Sequence, residues 1–169
     1  MGCAPSTPDP NNGVVAAAVF AGHGHLLVAP DYLGLGASTE PHPYYHAEST
    51  ANAVVDLLRA SREVVEAAGL DWPDALFLVG FSQGGHATLA AQRALETQPR
   101  DGLRVRASAS LAGPFDLAGI GFPSALEGRS RFASLYIAWI VNTYARIYGT
   151  PLDSVIREQY ASQLSGLFD

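Results

Sequence analysis

The chain has one cysteine, Cys3, so neither an internal disulfide nor a cysteine metal cluster can form. It has no lysine, and its ten basic residues, all arginine, are outweighed by sixteen acidic ones. The resulting net charge of -6 offers no electrostatic reason to expect nucleic acid or an anionic membrane surface as a partner. No apolar run reaches the roughly 18 residues of a membrane span. No basic and apolar leader opens the chain, so as written no secretion signal is expected. Met1-Gly2-Cys3-Ala4-Pro5-Ser6 fits a myristoylation pattern, with Cys3 open to a second acyl chain, but a different account of these residues emerges below. Charged residues make up only 15% of the chain and apolar ones 48%, which excludes disorder, and 169 residues suffice for one core.

The most informative stretch is Leu76-Phe77-Leu78-Val79-Gly80-Phe81-Ser82-Gln83-Gly84-Gly85-His86. A short uninterrupted apolar run of this kind suits a strand buried on both faces of a parallel sheet. The alanine-rich segment after it, with Ala87, Leu89, Ala90, Ala91, Ala94 and Leu95, suits a helix. A sharp turn must join the two. Gly80 and Gly84 would remove colliding β-carbons and leave the Ser82 hydroxyl exposed at the tip, the G-x-S-x-G arrangement of a nucleophile.

Elsewhere the elements follow in order. Proline- and asparagine-rich residues 3–12 form a loop, with Asp9 or Asn12 near the cap of a helix over about 13–21 that Gly22 and Gly24 end. His23 and His25 have a ligand-like spacing but no third partner nearby, so no metal site is expected. Residues 26–29 read as a short buried strand stopped by Pro30. The loop Asp31-Tyr32-Leu33-Gly34-Leu35-Gly36 sits where open α/β sheets place ligands, yet Thr39 takes the place of a third glycine, so it is no dinucleotide fingerprint. Residues 40–46, with Pro41, Pro43, Tyr44 and Tyr45, continue it, as a packed surface loop in the first instance and an aromatic wall for a substrate pocket as the alternative. A helix over 49–68 stops at Gly69. A turn over Pro99–Gly102 leads to a third strand over 105–111. Beyond Gly121 an aromatic stripe, Phe132, Leu135, Tyr136, Trp139, Ile140, Thr143, Tyr144 and Ile147, reads as a lid helix over a pocket, with an ordinary covering helix as the alternative, and the missing lysines disfavour a membrane-surface helix. Thr150-Pro151-Leu152-Asp153 reads as the start of a last helix. Three αβ repeats specify a parallel sheet.

These stretches together, Val28-Ala29-Pro30-Asp31-Tyr32-Leu33-Gly34-Leu35-Gly36, Gly80 to His86 and Leu57-Leu58-Arg59-Ala60 on the helix between, resemble the α/β-hydrolase fold and, within it, the secretory lipase family of bacteria and fungi. The resemblance implies a partial α/β-hydrolase fold: three layers around a parallel central sheet, with residues 1–120 as core and 121–169 as a helical lid. It matches Cys3-Ala4-Pro5-Ser6 to a motif just past the family's oxyanion loop. The chain is thus expected to be an internal fragment, without the triad acid and histidine. The residues agree, since the fold orders its triad as serine, acid, histidine, and the only histidine after Ser82 is His86, one helical turn away.

The implied activity is hydrolysis of carboxylic esters through an acyl-enzyme on Ser82, of lipase or esterase type and nearly silent in the isolated chain. Gln83 supplies an oxyanion N–H, and Asp31 borders the hole. Tyr32, His86, Tyr136 and Trp139 are candidates for the substrate pocket. No cofactor and no metal is called for; the partner is a small-molecule or lipid ester, and the family is extracellular. Exposed sheet edges would favour self-association. A peptidase or acyltransferase on the same fold, and a non-catalytic binding module, are the alternatives.

Overall fold

A computed structural model of the protein describes residues 4–7, 13–73, 75–99, 102–128, 131–164 and 166–168. Cys3, Asp9, Asn12 and part of the 99–102 turn lie outside the described residues. At the centre is a βαβ unit in which β1, Leu76–Phe81, pairs in parallel with β2, Val105–Leu111, and α3, Gln83–Thr97, crosses between them. The register runs from Phe77 opposite Ala107 to Phe81 opposite Leu111, with an irregularity after Leu76. The ends of both strands therefore finish side by side, at Ser82 and Ala112.

The long helix α2, Ala47–Ala67, packs on α3, and α3 packs on both strands. Gly69, at φ +74°, stops α2 as expected. Val55 and Leu58 of α2, Leu95 of α3 and Leu103 form the core of this layer, with Val28, Trp72, Leu76 and Val105 against it. Apolar burial at these positions supplies the main driving force for docking the helices.

Two strand expectations need correction. Residues 25–32 form no strand: Val28 packs on the core, but no hydrogen-bonded ladder joins its segment to β1 or β2, and a run without a ladder partner is not a strand however apolar it is. Among the described residues the sheet has two strands rather than three. Nor is β1 buried on both faces: Leu76, Leu78 and Gly80 are half-buried toward the helices, whereas Phe77, Val79 and Phe81 are exposed, Phe81 by 71%.

The N-terminal helix α1, Gly13–Phe20, continues as a 3₁₀ turn to His23 and ends at Gly24 in the left-handed region. After β2 a π-helical turn, Leu117–Gly121, leads into the short α4, Phe122–Leu126, and then α5, Ala133–Tyr148, which Gly149 ends. The last helix starts later than its sequence suggests. Residues Leu152–Ser154 make only a 3₁₀ turn, in which the Ser154 hydroxyl donates to the Pro151 carbonyl, and α6 runs over Glu158–Leu164. A serine side chain that bonds its own turn competes with helix propagation. A second apolar cluster holds this region, formed by Tyr44, Tyr45 and Ile140 with Leu117, Phe122, Trp139 and Tyr144.

Candidate active site

Ser82 stands at the junction of β1 and α3 with φ 55° and ψ -116°, a conformation that costs a non-glycine residue of the order of 1–3 kcal/mol and persists only where the surroundings enforce it. They do so through backbone bonds. The Ser82 N–H donates to the Leu111 carbonyl at 2.9 Å, and the His86 N–H donates to the Ser82 carbonyl at 3.2 Å. Ser82 is exposed and makes no side-chain cap to its own helix.

The glycines act differently from the simple expectation. A β-carbon on Gly80 would collide with the Gly84 carbonyl, and one on Gly85 would lie 2.6 Å from the Leu111 carbonyl, so these two positions permit the close approach of helix and strands. Gly84 contributes only its backbone: a β-carbon there would meet nothing within 4 Å.

Beside Ser82 lies a cavity of ≈ 370 Å³, walled by Tyr44 and Tyr45 on one side and by Leu117, Phe122, Tyr136 and Ile140 on the others. Tyr44 and Tyr45 are each only 6% exposed, so these two residues of the 40–46 stretch form a pocket wall rather than a surface loop. Tyr45 itself has a positive φ of 57°. Its carbonyl accepts from the Tyr144 hydroxyl at 3.1 Å, which ties the wall to α5. The described wall carries no ionisable carboxyl or basic group; its polar atoms are hydroxyls and backbone.

The other candidates are distributed around this cavity. Tyr136 lines it. Trp139 stands behind the wall, stacked on Tyr44 at 4.3 Å between ring centroids. His86 packs edge-on against Tyr45 and leaves its buried Nδ1 without a partner; burial, and secondarily His46, lowers its pKa below the ordinary 6.5. Tyr32 stacks on His42, and burial raises its pKa. Asp31 is outside the cavity wall, its carboxylate accepting from the Ser6 N–H at 3.0 Å and from the Ser6 hydroxyl, so it anchors the Ala4–Thr7 turn. Gln83 opens α3, and its side-chain nitrogen donates to Nε2 of His42 at 2.7 Å.

That histidine is the residue that the sequence reading passes over. It is 7% exposed, its Nδ1 donates to the Leu33 carbonyl at 2.7 Å, and nothing in its local spacing marks it, because its partners lie 9 and 41 residues away. Among the described residues there is no cluster of side chains able to hold a metal, and no helix is long and apolar enough to cross a membrane.

A strained serine between a parallel strand and a helix, opening on an apolar cavity, is the hallmark of one fold family. The sequence profile of the alpha/beta hydrolase family matches residues 12–167, and the chain belongs to that family. Among solved structures it is similar to a candidate hydrolase from Legionella pneumophila, with 28% identity and a TM-score of 0.87 over 98% of this chain. It is also similar to LipA, a rice cell wall degrading esterase from Xanthomonas oryzae, with 31% identity and a TM-score of 0.71 over 81% of this chain. The chain spans 45% of the Legionella structure and 38% of the Xanthomonas one. No curated protein matches it.

Proposed function

We propose that this chain carries the nucleophile and acyl pocket of a serine hydrolase of lipase or esterase type, acting on carboxylic esters with an apolar acyl group. The observation that carries the reading is Ser82 itself: exposed, held at φ 55°, and lining the cavity. Attack of its hydroxyl on the ester carbonyl forms a tetrahedral oxyanion. The backbone N–H of Gln83, at the positive end of α3, stabilises that charge. Collapse expels the alcohol, which takes the serine's proton from the general base, and water then releases the acid. The uncharged wall suits a neutral, hydrocarbon-rich acyl group.

Residues 1–120 belong on this reading to the hydrolase core and 121–169 to a lid, and the resemblance to secretory lipases points to an extracellular enzyme. Among the described residues no base hydrogen-bonds the Ser82 hydroxyl, and His86 is turned into Tyr45. On this reading a general base and its acid complete the site, and the chain spans less than half the length of the two solved relatives.

Treatment with a fluorophosphonate, followed by mass spectrometry, tests this. The expected result is one slow modification at Ser82, absent in Ser82→Ala. Modification elsewhere, or none, overturns the nucleophile; rapid stoichiometric labelling overturns the need for a further base.

A further inference from the structure

The first turn of α3 is poorly anchored by its own sequence. Helices commonly hold their free N-terminal amides with a capping side chain, and here the N-cap residue is Ser82, whose hydroxyl makes no such bond. The next residue, Gln83, has the amide assigned to the oxyanion. Something other than a cap must hold it in place.

We propose that His42 is a positioning residue of this site: as the neutral Nδ1–H tautomer it holds the Gln83 side chain and thereby fixes the amide that receives the developing negative charge. This rests on the ester-hydrolase reading of Ser82. The Leu33 carbonyl takes the Nδ1 proton at 2.7 Å, so Nε2 is left bare and accepts from the Gln83 amide nitrogen at 2.7 Å. The imidazole plane is set by three rings: Tyr32 stacked nearly parallel, Tyr44 tilted against it at 6.0 Å, and the edge of Trp139 at 5.8 Å. The His42 backbone occupies the space that a β-carbon at Gly34 would need, so the loop is built to admit this residue. Burial, the largest influence on its proton affinity, lowers its pKa despite the two hydrogen bonds, which favours the neutral ring the arrangement requires. Were the ring protonated, Nε2–H would face the donor side of the Gln83 amide, and the bond would survive only by rotation of that amide. Through Trp139 the same ring touches α5, so the lid helix and the oxyanion amide share one support.

Two measurements on the 169-residue chain test the proposal. In ¹⁵N-detected NMR of the histidine rings, His42 is expected to show one protonated and one bare nitrogen, and the bare resonance should move in Gln83→Met. An unmoved resonance, or the opposite tautomer, overturns the link. Fluorophosphonate labelling of Ser82 should slow about tenfold in His42→Phe and in Gln83→Met, a fraction of the ~10² to 10³ lost when an oxyanion donor is removed outright. The double variant should be no slower than the slower single one, because both changes remove the same bond. His42→Gln, which keeps an acceptor at the end of its side chain, should recover part of the rate. Independent, multiplying losses, or a single variant labelled at the parent rate, overturn the proposal. Gln83→Met, at a half-buried site, carries the rate measurement if His42→Phe fails to fold. A parent chain that never labels removes the ester-hydrolase reading alone, and the NMR result still decides whether His42 holds Gln83.

Discussion

At the scale of single residues, His42 and His86 are both kept in surroundings that resist their charged forms. Burial is the main cause for each, opposed at His42 by the bonds to Leu33 and Gln83 and reinforced at His86 by His46. The titratable groups around His42 are Tyr32 and Tyr44, whose rings contact it, with Glu40 and Arg146 across a neighbouring cavity; Tyr45 and His46 lie beside His86. Both folded-state pKa values lie below the ordinary 6.5, so the unfolded chain takes up protons first as the solution is acidified. Their contribution to stability is whole above that value and is lost as pH falls through and below it. Urea midpoints measured from pH 7.5 down to 5 should therefore decline, and the decline should be shallower in His86→Phe. A pH-independent midpoint would contradict the burial of both rings. Burial likewise drives the ionisation of Tyr44 far above its ordinary range, which keeps its phenol neutral.

At the scale of elements, the elbow separates two neighbouring glycines that look alike in the sequence. Gly84→Ala places a methyl in open space in the first turn of α3 and, alanine being the better helix former, is expected to raise the thermal midpoint slightly. Gly85→Ala pushes a methyl onto the Leu111 carbonyl and is expected to cost about 1–3 kcal/mol, or to splay α3 from β2. Differential scanning calorimetry of the two variants distinguishes them at once. Elements specified by their own neighbours, α2 up to Gly69, the β1–Ser82–α3 elbow, β2 and α5, could be placed from periodicity and turn residues alone. The segment 26–29 could not, because being a strand depends on a partner strand and not on composition. Thr150 to Asp153 misled for a related reason: the capping residues are present, but Ser154 closes the turn with its own hydroxyl. His42 and the Tyr44–Tyr45 wall were illegible because what makes them part of the site is contact with α3 and α5, 41 and about 99 residues away.

At the scale of the whole molecule, the apolar side chains fall into two clusters, one beneath the βαβ unit and one around α5, with the cavity beside Ser82 on the second. The outward face of β1 belongs to neither. Phe77, Val79 and Phe81 leave an apolar strip along a strand, a feature that favours association. Sedimentation velocity of the 169-residue chain should show mass rising with concentration, and Phe77→Lys should reduce the rise; a concentration-independent monomer would show that the strip is tolerated in solution. The division into two clusters has a further bearing on how the family can diversify. Because the chemical end of the cavity is held by strand and helix backbone while its floor is made by the α5 region, substitutions at Ile140 or Phe122 can resize the chamber without disturbing the serine. The shape of the cavity can then change by drift in one half of the protein, with the strand-to-helix junction carried along unchanged.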